Sequence, residues 1–207
     1  MDNVDTRRAG GLFALRKDLD VYNLRGKTNL GIEALSLEAG YAKEKSRDVD
    51  AYAWYTGVGY QFVDARFTPS VGYRYSRFSG DDAGTGKSEA FDPLFYGSAP
   101  TDTAWVQGEI AGTFAGPFNT NARVHRLQAR ATLGERLAVS TKAYRFETEQ
   151  GGEHFADEVD FYLETFPTDN LAIIPVLGVW KPRQGARNAY DEGDVQTFAA
   201  LITCFSF

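Results

Sequence analysis

The sequence predicts an all-β fold: an antiparallel up-and-down transmembrane β-barrel, of which this chain supplies about nine strands. Three observations predict it. Apolar and polar residues alternate with a period of two along much of the chain, while helical periodicity is scarce. The alternating runs are ~9–14 residues long, against the ~5–6 usual in globular proteins, and they match the ~9–11 that a tilted strand needs to cross a bilayer. The connections alternate between short and long, the asymmetry of a membrane barrel with turns on one side and loops on the other. Composition agrees: aromatics make up 14% and glycine numbers 21, with one Cys and one Met, which suits turn-rich strands with aromatic girdles.

Strands are expected over 11–23, 29–44, 49–63, 66–78, 122–133, 136–147, 154–166, 171–182 and 194–207. In the third, Tyr52, Trp54, Thr56, Val58, Tyr60 and Phe62 share a face. Its aromatic residues cluster at both ends, so Tyr52, Trp54, Tyr60 and Phe62 are read as lipid-facing girdles around an apolar band. The fourth places Phe67, Pro69, Val71, Tyr73 and Tyr75 opposite Arg66, Thr68, Ser70, Gly72, Arg74 and Ser76. The fifth separates Leu127, Ala129, Ala131 and Leu133 from Arg126, Gln128, Arg130 and Thr132, and the seventh separates Val159, Phe161 and Leu163 from Glu158, Asp160, Tyr162 and Glu164. The second and eighth alternate poorly, and Glu33 shares parity with Leu35, which suggests a bulge.

The short connections are "LRGKT" (24–28), "VDAR" (63–66), "LGER" (133–136) and "PTDN" (167–170). The longest connection, 79–121, falls on the opposite, external side and contains "EAFDPLFYGSAP". "TAWVQGEIAGTF" (103–114) is left inside that loop, because a full crossing there would break the up-down parity. The 207 residues are read as a single partial-barrel domain. The last strand, "FAALITCFSF", ends in Phe205 and Phe207 on one face, like the signal read by the bacterial outer-membrane assembly machinery. The bacterial outer membrane is therefore the expected location. The opening "MDNVDTRRAGGLFALRK" lacks the basic start and apolar core of a secretory signal, so an exported chain is expected to be a mature form or a piece of a longer one.

The stretches "EAFDPLFYG", "TAWVQGEI", "NTNARVHRLQARATLGERLAVSTKAYRF" and "DFYLETFPTDNLAIIPVLGVWKP", with the ending "CFSF", resemble the C-terminal half of the alginate-export family of outer-membrane β-barrels over roughly 28–207. The resemblance implies an 18-stranded barrel that conducts an anionic polysaccharide, or a porin-like pore in broader members, lined by Arg and Lys and obstructed by inward-folded loops. Nine strands are half that number. An open sheet in lipid strands its edge N–H and C=O groups, so the chain is expected to be a fragment, a partial gene product or one half of an assembly.

Parity places Arg16, Arg66, Arg74, Arg126, Arg130 and Lys142 on the lumen face, as a ladder of fixed cations for an anionic polysaccharide or small solute. Asp18, Asp20, Glu38, Glu158, Asp160 and Glu164 share those faces, and would either repel a polyuronate or pair with the arginines. In the long loop, Phe91, Asp92, Pro93, Leu94, Phe95 and Tyr96 are read as anchoring it on the barrel wall, with stacking on a sugar as the second role. Membrane lipid is the other expected partner.

Other chemistry is poorly represented. A net charge of −6 argues against nucleic acid. "GDDAGTGKS" has Asp81 where a phosphate loop needs glycine. "YDEGD" and "GDD" lack a full calcium ligand set, and two His with one Cys make zinc improbable. No nucleophile motif accompanies His125 or His154, so no enzyme, metal or cofactor is expected. A soluble β-barrel or sandwich holding an apolar ligand is the alternative, and it differs in placing the aromatic face inside.

Overall fold

The computed structural model describes Arg16, residues 18–93, 107–191 and 193–206. One antiparallel sheet runs in chain order: β1 (Asp20–Thr28), β2 (Leu35–Lys45), β3 (Asp50–Gln61), β4 (Ser70–Phe78), β5 (Ala122–Gly134), β6 (Leu137–Thr148), β7 (His154–Thr168), β8 (Leu171–Pro182) and β9 (Gln196–Phe205). The sheet is open, with β1 and β9 as its edges. A short helix, α1 (Gln184–Tyr190), lies between β8 and β9, and a π-helical turn, Ala111–Ala115, lies in the long β4–β5 connection. Among the described residues no helix is long and apolar enough to cross a membrane, which says nothing about crossing with strands.

The N-terminal boundary differs from the sequence reading. β1 begins at Asp20, so "LRGKT" is its second half and the turn falls at 29–34. Thr28 Oγ1 and Asn29 Oδ1 accept the N–H groups of Leu30 and Gly31, and both of those residues adopt positive φ. Such local side-chain acceptors favour a tight turn over continued pairing. Glu33 sits in this turn, so its parity needs no bulge. β4 starts at Ser70 and not at 66, because Phe67 and Thr68 have positive φ and close the 62–69 turn. The real register shifts lie in β5–β6 at Thr132/Gly134, in β6–β7 at Phe146/Glu147 and in β7–β8 at Thr165/Thr168.

Alternation gives the sheet two unlike faces. The outer face carries rows of paired apolar side chains, such as Leu37, Val58, Tyr73, Leu127, Ala143, Val159 and Val179. Leu127, Leu177 and Leu201 are 60%, 59% and 65% exposed. On β8 the outward run Leu171, Ile173, Pro175, Leu177, Val179 spans roughly 26 Å along the strand. Burying one Leu or Phe side chain contributes about 1.5–3 kcal/mol, so a continuous belt of this kind is unfavourable in water.

The inner face is divided. Toward the long connections it is dry: Phe78, Val124, Phe146 and Trp180 are buried with Phe91, Ile110 and Ala111 from the β4–β5 connection. Strand parity alone places the cations and carboxylates on this face and does not show that its upper half is dry. The loop residues that fill its upper half could not be placed by strand parity. Toward the short turns the inner face becomes polar over β4–β7, with Ser70, Gln128, Arg130, Ser140 and Tyr162 on it.

Candidate functional site

Strand register assembles a single row across the middle of the inner face: Lys27, Glu38, Gly57, Arg74, Arg126, Tyr144, Glu158 and Trp180. Glu38 on β2 and Arg74 on β4 are separated by β3, yet Arg74 donates to Glu38 at 2.8 Å and 2.7 Å. Gly57 makes this reach possible, since a Cβ there would lie 2.7 Å from Glu38 Oε1. Arg74 also stacks on the Tyr55 ring, its Cζ 4.3 Å from the centroid. That ring packs against Gly40, where a Cβ would come within 2.4 Å of it. Arg126 lies beside Arg74 in register and 3.8 Å from the same Glu38 oxygen. Below this row, Lys27, Ser36, Glu38, Gly59, Gly72, Arg126 and Gln128 line a polar recess of about 130 Å³. Arg126 and Lys27 supply positive charge there and Glu38 negative charge, and Ser36 and Gln128 supply donors and acceptors for hydroxyls.

The second part of the site pins the long connection to the wall. Glu158 accepts the backbone N–H groups of Ile110 at 2.7 Å and Ala111 at 2.8 Å, and Asp160 accepts that of Glu109 at 3.3 Å. Tyr162 donates to Glu109 at 2.7 Å, and Lys142 Nζ sits 4.4 Å above the Tyr162 ring. Gly108 has φ +81°, and a Cβ on it would lie 2.6 Å from Glu158 Oε2. Asp160 leans into the space over Gly178, whose Cβ would be 2.8 Å from Asp160 Oδ1. Glu158 and Asp160 therefore hold a loop on the wall instead of facing an open lumen.

The sequence-chosen residues divide. Arg74, Arg126, Arg130 and Lys142 point to the inner face. Arg130 is held by Glu164 at 2.9 and 3.0 Å. Arg16 and Arg66 are corrections. Arg16 precedes β1 and pairs with Asp92 at 2.6 and 2.8 Å, and that hydrogen bonding raises the pKa of its guanidinium. Arg66 lies exposed in the 62–69 turn, 4.5 Å above the Phe67 ring. Both were assigned by extending strand parity into segments that are not strands.

In the long connection Phe91 is buried, 5.8 Å from the Phe78 ring, and the Asp92 N–H donates to Glu44 at 2.9 Å. Pro93 follows, half-buried. Leu94, Phe95, Tyr96 and Phe207 lie outside the described residues. Tyr52, Trp54 and Tyr60 take the outer face of β3, and Phe62 follows it, 5.1 Å from the Tyr60 ring. Phe205 ends β9 on the outer face.

Strand parity missed Arg25 and Lys27, which register turns inward from the segment read as a turn. Their alternation with Leu24 and Gly26 was the available signal. Among the described residues, no group of three His, Cys, Asp or Glu is arranged to hold a metal ion. No protein-family model matches the chain, and no curated protein matches it.

Proposed function

We propose that the chain forms part of an outer-membrane pore, the C-terminal half of a barrel of the alginate-export type, passing an anionic polysaccharide such as alginate or small solutes. The observation that carries this reading is the division of the sheet into an apolar outer belt and an inner face crossed by Glu38, Arg74, Arg126 and Lys142. Lipid against the outer belt removes its exposure to water, and water or solute against the lower inner face solvates its charges.

Closure requires further strands. Unpaired edge N–H and C=O groups of β1 and β9 would each lose several kcal/mol in hydrocarbon. β1 and β9 run in the same direction in this nine-stranded order. An all-antiparallel barrel therefore needs an odd number of added strands between them. Nine more would give the 18 that the family resemblance implies.

The soluble alternative requires a dry interior that holds an apolar ligand. The dry upper half of the inner face is filled by Phe91, Ile110 and Ala111, the inner recess is polar, and a large apolar hollow lies on the outer face, between Val58, Val71, Leu127 and Ala143. All three oppose it.

Arg126 and Lys27 are the proposed contacts for a passing carboxylate, with Arg130 next in its path. The deciding experiment is the reversal potential of the protein, in its membrane-extracted assembly, across a planar bilayer with a salt gradient. Anion preference, reduced by added oligouronate as it occupies the pore, supports the reading; cation preference rejects it.

A further inference from the structure

The outer face carries a second arrangement that the pore reading does not use. Just above the apolar belt, on the long-connection side, register aligns Tyr75, His125 and Arg145 in one outward row, with Arg77 and Arg123 in the next. Arg77 is neutralised by Glu149, while Arg123 and Arg145 share one carboxylate: Glu147 lies 3.0 Å from Arg145 and 3.7 Å from Arg123, which leaves one positive charge in surplus among these five groups. Tyr73 and His125 Nδ1 share a 2.7 Å hydrogen bond, and the Tyr75 ring lies 5.0 Å from His125 and 5.3 Å from Trp54. Aromatic rings beside cations at one level of a strand mark the boundary between hydrocarbon and headgroups.

Directly below lies an open apolar hollow of about 430 Å³. Val58, Val71, Tyr73 and Leu127 line it together with the small outward side chains of Ala129 and Ala143. Arg145 stands two residues from Ala143 on β6, and His125 two from Leu127 on β5. Each step is about 7 Å along the strand. A cationic rim thus sits one headgroup's reach above an open apolar hollow.

From this we infer a binding site for one anionic phospholipid. Its phosphate meets Arg123 and Arg145, and an acyl chain lies in the Ala129–Ala143 hollow. Neither half of the arrangement specifies a lipid alone. A rim without a hollow would attract any anion, and a hollow without a rim any chain. The inference rests on the membrane-spanning reading above.

Trp54 supplies the probe, because it faces outward beside this rim while Trp180 is fully buried on the inner face. In a Trp105→Phe background, Trp54 fluorescence is measured in vesicles of phosphatidylcholine carrying a small fraction of chain-brominated phosphatidic acid, or the same fraction of brominated phosphatidylcholine. Quenching by the phosphatidic acid is expected to be roughly fivefold more efficient, as one net cation near the headgroups implies. An Arg123→Gln/Arg145→Gln variant is expected to bring the two lipids to equality, and Ala143→Leu to reduce the preference by occupying the hollow. Vesicles made wholly of brominated phosphatidylcholine serve as the control. Strong quenching there, with equal quenching by the two minor lipids or a preference that survives the double substitution, overturns the site and leaves the membrane reading intact. Absence of quenching in that control rejects both.

Discussion

Arg74 and Glu38 meet across an intervening strand, 2.7 Å apart on the inner face, because Gly57 leaves the space between them empty. Arg74 is buried, and this carboxylate and the Tyr55 ring are among its partners there. Glu38→Gln removes the ionic hydrogen bond while keeping the shape. It is expected to lower stability by about 1.5–3 kcal/mol, read as a shift of the urea midpoint. Gly57→Ala is expected to act in the same direction by lifting the Glu38 carboxylate. Combining the two substitutions should lose less than their sum, because both act on one contact.

The hold of Glu158 on the 109–111 backbone gives a local prediction. Glu158→Gln replaces one accepting oxygen by a donor, so one of the amides of Ile110 and Ala111 loses its acceptor. Hydrogen exchange at those two amides is expected to accelerate about tenfold or more, while amides in the centre of β6 keep their protection. Unchanged exchange at both would mean that the loop is held by its apolar contacts alone.

Val58 and Gly59 are adjacent on β3 but face opposite ways. A Cβ at Gly59 meets only ordinary contacts, 3.6 Å from the Val71 carbonyl and 3.7 Å from Ser36, so a cysteine is tolerated there. Spin labels on Val58→Cys and Gly59→Cys are expected to separate in vesicles. The label at 58 should broaden strongly with a lipid-soluble relaxation agent, and the label at 59 should broaden little. The reverse order would place the aromatic face inside and remove the pore reading.

Arg126 lines the polar recess with no ion-pair oxygen nearer than 3.8 Å among the described residues, whereas Arg130 is tied to Glu164. Arg126→Gln is therefore expected to reduce anion preference in the reversal potential more than Arg130→Gln does. Equal effects of the two would mean that ion pairing on the wall does not govern which cations a solute meets.

Strand existence and the two-faced character of the sheet were legible, and the reason is local. β5 alternates Leu127, Ala129 and Ala131 with Arg126, Gln128 and Arg130, and the pleat turns that alternation into two faces whatever the neighbours are. The first hairpin was not legible, because "LRGKT" has turn-like composition and its fate rests on Thr28 and Asn29 capping the next residues. Glu158 and Asp160 were visible as carboxylates on one strand face. Their partners were not, because backbone amides carry no sequence signature and come from a loop tens of residues away.

What the sequence by itself determined is the parity of most of the long strands, and with it which side chains share the apolar face of the sheet and which the inner face. That follows from bonded geometry within a strand. Only the tertiary structure decided which inward residues meet: Glu38 with Arg74 over Gly57, Glu158 with the Ile110 and Ala111 amides, and phenylalanines 78 and 91 in a dry upper half. Those meetings depend on inter-strand register and on the path of the long connection. Both are set by turn closure and packing among residues far apart in the chain, so no local pattern encodes them.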